Sequence, residues 1–419
     1  MKQAINPFSW EKLQELAKEE PNLIEGPTNP QAPLRLFGKP ESTIRVTLYR
    51  DHHAWCPYCQ KVWLWLEWKQ IPYRVKKVTM RCYGRKENWY LKKVPSGMLP
   101  AIELDNKVIT ESDQILLALE NIYGPLGSSL LNPQTLKLRN FERELFRVWC
   151  IWLCNPSNTQ NQEERRKEQF TLLAEKMDEL LKACNTPFLD PVLTNSKEYS
   201  PGSGDVIFIP YLERMNASLT YYKGLCLREN YPNIHQWFLS LEKSDVYKGT
   251  QGDFHTHAHD LPPQMGGCWI DANPKQKEFS QLIDNGKGLE EVESSDDQRE
   301  SDDIATLALT RVLKHRKCIL QTNPIGPLLF DQPLRSALTN MVTNTICLPT
   351  TGSALGLRYL RDRISVPRDM PLFAARKLRQ ALEKTAQQDS SQQGPPIPIS
   401  NRFDQDPEPF LKAKGTSNT

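Results

Sequence analysis

Cys56-Pro57-Tyr58-Cys59 is the one closely spaced cysteine pair among ten cysteines in 419 residues. Two thiols three positions apart suit redox exchange or metal ligation. TIRVTLYRD before the pair alternates and is β-branched, whereas QKVWLWLEWKQ after it has helical spacing, so HHAWCPYC is expected to be a loop entering a helix. At that position the Cys56 sulfur meets unpaired backbone N–H groups and the positive end of the helix dipole, which favours the thiolate. Cys56 is therefore the expected nucleophile. Cys59, one turn on and more buried, is placed to resolve a mixed disulfide by intramolecular exchange. The alternative is half a zinc site, but no second CxxC or suitably spaced Cys/His pair follows, so no metal is expected.

The elements that must position this pair follow from periodicity. YRVKKVTM is a second strand, RKENWYLKK a helix, PAIEL and KVIT two further strands, and ESDQILLALENIYG a closing helix. This β-α-β-α-β-β-α order over 44–127 suits a small sheet with helices on its faces. Residues 128–268 repeat apolar positions at three- and four-residue spacing and read as an all-helical domain. Residues 1–43 read as an extension with a short helix capped by Ser9, expected to pack on the next domain or fray.

Charge and hydropathy exclude other classes. No apolar run approaches the ~18 residues of a membrane span, and the chain carries 53 Lys+Arg against 50 Asp+Glu, a net +3. That near-balance is a cancellation. Residues 269–303 read as an acidic linker, in which 289–303 hold eight acids against one base, whereas 304–386 hold 13 Lys+Arg against four acids. The basic stretch contains a weak two-unit repeat: TRVLKHRKCI at 310–319 aligns with LRYLRDRISV at 357–366, and LRSAL at 334–338 with LRQAL at 378–382. Its cations form a solvated face or a dock for an acidic partner. The last segment, 387–419, reads as disordered.

Several landmarks together resemble a known family. Residues 43–127 look like the thioredoxin-fold domain of a glutathione transferase of the cysteine, omega-like type, and GMLPAIEL, the Glu111-Ser112 pair and RKENWYLKKVPSG are similar to its glutathione-binding segments. The resemblance implies an α/β plus all-α fold: a thioredoxin-like N-terminal domain, an all-helical transferase C-terminal domain, and here an extra basic two-unit repeat. It implies glutathione as co-substrate. Pro100 takes the role of the cis-proline, the Leu99 backbone pairs with the cysteinyl part of glutathione, and Lys86 meets the glycyl carboxylate. Ser112 and the helix N–H groups suit the γ-glutamyl carboxylate, and Glu111 its ammonium. GSGDVIFIPYLERM resembles the second domain's capping segment, although Gly202 stands at the usual cap position and only Asp205 keeps the box. The layout as a whole resembles the iota class found in cyanobacteria, algae and mosses.

The remaining candidates are weighed on their residues. Trp149 and Trp152, in the first long helix, are candidates for a hydrophobic substrate pocket, with core packing as the alternative. Trp63, Trp65 and Trp68 read as core. His52 and His53 are either partners of the Cys56 thiolate or solvated loop residues. His255, His257 and His259 would share one face of an extended segment, with Asp260 as a partner for a metal. The expectation is a cytoplasmic glutathione-dependent thiol transferase or dehydroascorbate-type reductase, acting on a small electrophile or glutathionylated substrate, away from membranes and as a homodimer. The alternatives are a glutathione-, ligand- or iron–sulfur-binding protein, and a scaffold whose basic repeat docks a partner.

Overall fold

The computed structural model describes residues 5–289 and 298–391. The expected tail beyond 391 and the most acidic part of the expected linker, 290–297, lie outside these residues. The chain divides into two compact units.

The larger unit comprises residues 22–251 and 260–277. Its sheet is built from β1 (Leu34–Arg35), β2 (Val46–Asp51), β3 (Tyr73–Val78), β4 (Ala101–Leu104) and β5 (Lys107–Thr110), in the order β1-β3-β2-β4-β5. β2 and β3 run parallel, with Leu48 opposite Val75, and are joined by the Pro57–Trp68 helix. β4 pairs antiparallel with both β2 and β5. This is the thioredoxin-like arrangement. Both faces of β2 are covered, so five of its six residues are buried, and the sequence there is less strictly alternating than a half-exposed strand.

The expected extension over 1–43 divides between the units. Residues 22–43 belong to the larger unit: β1 adds an antiparallel edge to β3, and Arg35 forms a two-pronged pair with buried Glu67, Nε and Nη2 each at 2.9 Å. Glu67 also accepts from the Tyr73 hydroxyl at 2.6 Å and from Thr28 Oγ1 at 3.0 Å, which satisfies a carboxylate that burial would otherwise penalise.

The helical part of this unit is led by Pro133–Cys154, Gln160–Lys182, Ile209–Lys223 and Pro232–Leu241. Gly202 opens the short Ser203–Val206 helix without a side-chain cap, and a Cβ there would lie 2.4 Å from Asp190 O. The missing cap is supplied by a neighbour. The Asp190 carboxylate accepts from Gly204 N–H at 3.0 Å, while Asp205 accepts from Leu189 N, Asp190 N and Trp237 Nε1 at 2.9, 2.9 and 2.8 Å. Burial of Asp205 raises its pKa to about 6 despite these bonds.

Among the described residues, the smaller unit gathers 5–21, 252–259, 278–289 and 298–391. The Trp10–Leu16 helix belongs to this unit. It is capped by Ser9 and inserts Leu13 into a core with Leu309, Leu334, Leu338, Leu357, Leu378 and Leu382. That core lies among the helices Gln298–Thr322, Pro327–Thr343, Ala354–Arg363 and Leu372–Ala386. Three of the aligned pairs, Leu334 with Leu378, Ala337 with Ala381 and Leu338 with Leu382, are buried in it. Part of the expected linker is also helical, Pro274–Asp284, anchored by buried Phe279 and Ile283.

Several cations of the basic stretch are ion-paired. Arg311 and Lys314 pair with Glu20, Arg358 and Arg361 with Glu383, Arg368 with Asp369, and Arg379 with Asp253. Glu20 and Asp253 come from outside the stretch, so two acids distant in sequence offset part of its excess positive charge. FHTHAHD is helical rather than extended, as part of Phe254–Met265. His255 and His259 therefore adjoin, ring centroids 4.7 Å apart, while His257 leaves the shared face and His259 Nε2 pairs with Asp284 at 2.8 Å.

Candidate active site

β2 ends at Asp51, whose buried carboxylate accepts the Trp55 N–H at 2.7 Å and so closes the loop that delivers Cys56. Cys56 is the N-cap of the Pro57–Trp68 helix. Its sulfur accepts from Cys59 N–H at 3.4 Å, and Pro57 occupies the first helical position, where the missing N–H is not needed. The Cys56 sulfur is 4.0 Å from Leu99 O, and the Leu99–Pro100 peptide is cis. Cys56 is 6% exposed and Cys59 2%. Burial, followed by the hydrogen bond and charge of Cys56, pushes the Cys59 thiol well above its ordinary pKa. The two cysteines thus differ in kind: Cys59 stays protonated while Cys56 sits among the helix donors.

Lys86 is half-buried, donates to Thr79 O at 2.9 Å and lies 5.7 Å from the Tyr90 ring centroid. Burial lowers its pKa, while the Cys59 and Cys56 sulfurs favour its charged form. The adjacent Glu87 accepts from Thr79 N at 3.0 Å and Thr79 Oγ1 at 2.9 Å. Burial works against its ionisation, yet His52 and these donors hold it down to about 2. His52 Nε2 lies 3.6 Å from Glu87, and buried His53 stacks on Tyr83 at 3.5 Å, so both histidines have partners other than the Cys56 thiol.

Glu111 is exposed, with φ 64° and ψ 115°, a left-handed backbone that costs a non-glycine residue about 1–3 kcal/mol. It precedes buried Ser112 at the start of the Ser112–Tyr123 helix, which has no side-chain cap. Asp113, in the same first turn, is ion-paired with Lys61 and Arg139. Lys61 is fully buried on the Cys56 helix, and burial lowers its pKa to about 8. Burial raises the Asp113 carboxyl, but Lys61 and Arg139 outweigh it and bring the pKa below the usual range.

The structure brings Cys56, Cys59, Lys86, Leu99 and Pro100 around one thiol. It does not bring Trp149 and Trp152 to a pocket. Both indoles are 1% exposed, with their N–H groups satisfied inside the helical core, Trp149 by Ser218 Oγ at 3.1 Å and Trp152 by Glu163 at 2.6 Å. They are core residues because those acceptors lie on packed neighbouring helices. The aromatic groups beside the motif are instead Tyr58, Tyr211 and Phe146. Tyr58 and Tyr211 meet edge-on at 5.8 Å, and Arg143 lies 4.7 Å from the Tyr211 ring.

Sequence reasoning passed over Arg214. This arginine, 1% exposed on the Ile209–Lys223 helix, donates to Trp55 O, to Gln60 Oε1 at 2.8 Å and to Pro210 O at 2.6 Å, and lies over the Trp55 ring at 4.9 Å. Burial lowers its pKa, and Glu213, Cys56 and Asp51 oppose that effect. Guanidinium stays ionised in proteins, so a buried cation is fixed beside the carbonyl preceding Cys56. The Glu213 carboxylate lies 4.0 Å from this cation. A lone arginine in the apolar stretch DVIFIPYLERM was the available signal.

Residues 55–122 match the family model described as glutathione S-transferase, N-terminal domain. That segment is similar to the N-terminal domain of glutathione S-transferases. Over 198 residues it is 25% identical to the Arabidopsis thaliana protein named glutathione S-transferase DHAR3, chloroplastic, covering 47% of this chain and 69% of that one. It is 26% identical over 223 residues to Arabidopsis thaliana glutathione S-transferase L3, covering 53% and 89%. It is 28% identical over 197 residues to the Oryza sativa subsp. japonica protein named probable glutathione S-transferase DHAR1, cytosolic, covering 47% and 84%. The transferase likeness thus spans about half of the chain. No helix among the described residues is long and apolar enough to cross a membrane.

Proposed function

We propose that the protein is a glutathione-dependent thiol transferase or reductase working through Cys56, with glutathione as co-substrate. The observation that carries this reading is the asymmetry of the two thiols: Cys56 caps a helix beside the Arg214 guanidinium, while Cys59 is buried and held protonated. A hydroxyl-type transferase only steadies the glutathione thiolate. A cysteine in this position forms a covalent bond.

The Cys56 thiolate attacks the glutathione sulfur of a mixed disulfide, its S–S bond breaks, and the substrate sulfur leaves as a thiolate that takes up a proton. The enzyme is then Cys56–S–S–glutathione. A second glutathione, as thiolate, attacks the glutathione sulfur of this adduct, releasing glutathione disulfide and regenerating the Cys56 thiolate. Dehydroascorbate-like acceptors are the finer reading suggested by the names of the relatives. In this scheme the Leu99 backbone beside Pro100 pairs with the cysteinyl unit and Lys86 turns to the glycyl carboxylate. Ser112 and the N–H groups of its helix hold the γ-glutamyl carboxylate, with Glu111 on the ammonium. The cytoplasm, a reducing compartment, suits a chain whose ten cysteines are all thiols.

The test is intact mass spectrometry of the full chain incubated with glutathione disulfide. One glutathione should add at Cys56 and leave on addition of free glutathione, and Cys56→Ser should show neither step nor turnover of a glutathionylated peptide. Undiminished deglutathionylation by Cys56→Ser refutes the mechanism.

A further inference from the structure

Beyond Cys56 and Cys59, a second group of thiols lies in the helical part of the same unit. Cys150 and Cys154 are one turn apart at the C-terminal end of the Pro133–Cys154 helix, and the Cys268 thiol is hydrogen-bonded to the Cys154 sulfur. The backbone holds this contact: Trp269 N–H donates to Leu153 O at 2.8 Å, tying together the residues that adjoin the two cysteines. Peptide dimensions then place the Cys154 and Cys268 Cα atoms within about 7 Å, the separation a disulfide spans. Both side chains are half-buried, so small oxidants reach them.

The two thiols are unequal. The hydrogen bond from Cys268 lowers the Cys154 pKa with help from the Lys223 ammonium, whereas that same bond and burial push Cys268 up. Cys150, raised to about 12 by burial, stays a thiol. The segment carrying Cys268 follows a pair of glycines. Gly266 and Gly267, at φ 81° and 141° with open space where a Cβ would be, separate it from the preceding helix, and Trp269 and Ile270 after it are exposed.

We propose that Cys154 and Cys268 form a second redox pair, an oxidisable dithiol that closes to a disulfide under peroxide and clamps residues 266–271 to the end of the Pro133–Cys154 helix. The Cys154 thiolate attacks one peroxide oxygen, the O–O bond breaks, and hydroxide leaves, giving a sulfenic acid. Cys268 attacks that sulfur, the new S–S bond displaces the hydroxyl, and the Cys268 proton leaves with it as water. Two thiols are oxidised and one peroxide is reduced to two waters. The pair does not depend on the chemistry assigned to Cys56.

The full chain is titrated with hydrogen peroxide, alkylated, digested and mapped. A Cys154–Cys268 cross-linked peptide, reversible by dithiothreitol, is expected, and in the oxidised protein the Trp269 amide should exchange with deuterium about tenfold more slowly. In Cys268→Ser the cross-link is absent and Cys154 is trapped by dimedone as its sulfenic acid. The proposal is overturned if Cys154 links to Cys150 or to another chain, or if it stays reduced after Cys56 is fully oxidised. Unchanged exchange at Trp269 in cross-linked protein overturns the clamp.

Discussion

Replacing Arg214 by methionine removes a buried cation while keeping much of the side chain's volume, and it tests whether the helical part of the unit takes part in the chemistry of Cys56. Arg214 donates to the carbonyl of Trp55, the residue immediately before the nucleophile. Backbone dimensions put its charge within about 7 Å of the Cys56 sulfur. At an effective dielectric near 20, that separation gives about 2 kcal/mol of attraction to negative charge on that sulfur, roughly a 30-fold effect on a rate that depends on it. Arg214→Met should therefore slow alkylation of Cys56 by iodoacetamide at pH 7 about 30-fold, read by peptide mass spectrometry. It should also cost about 1–3 kcal/mol in urea denaturation, because the Trp55, Pro210 and Gln60 oxygens each lose a donor. Arg214→Lys keeps the charge without the planar fork, so it should recover most of the alkylation rate but not all of the stability. If Arg214→Met remains folded by circular dichroism and Cys56 reacts at the wild-type rate, the cation is structural and the electrostatic reasoning fails.

Four further outcomes are expected. Cys59→Ser should retain most turnover of a glutathionylated peptide, since the Cys59 thiol is held protonated; turnover as low as that of Cys56→Ser would assign Cys59 an obligatory step. Asp205→Ala leaves three buried donors without an acceptor and should cost roughly 2–5 kcal/mol in urea unfolding, the relief of a buried charge offsetting part of the loss; an unchanged midpoint would contradict this. Gly202→Ala would place a Cβ 2.4 Å from Asp190 O, and the forced shift should lower stability by about 1–3 kcal/mol, seen as a reduced melting temperature. Lys61 titrates at about 8 in the fold against an ordinary 10.5. The unfolded chain therefore binds more protons between those values, and this contribution to stability is complete above pH 10.5 and lost as pH falls through 8. Lys61→Met should flatten the dependence of unfolding free energy on pH in that window, and an unaltered slope would count against the assignment.

The sequence by itself determined the thioredoxin-like order of strands and helices, the place of Cys56 at a helix start and the helical character of the second half. These are local matters: period-2 and period-3.6 patterns and turn residues act between near neighbours, and the CPYC loop, Pro100 and the Glu111-Ser112 pair lie within sixty residues. Tertiary structure decided what depends on distant partners. Arg214 reaches Trp55 across 159 positions, Glu20 and Asp253 neutralise arginines far along the chain, and Cys154 meets Cys268 only through a fold contact. Trp149 and Trp152 carried the composition of a substrate pocket, yet acceptors on neighbouring helices made them core. Glu20 and Asp253 show what charge counted along the chain leaves out: acids distant in sequence pair with Arg311, Lys314 and Arg379. Coulomb and packing energies depend on separation in space, and sequence periodicity records only separation along the backbone.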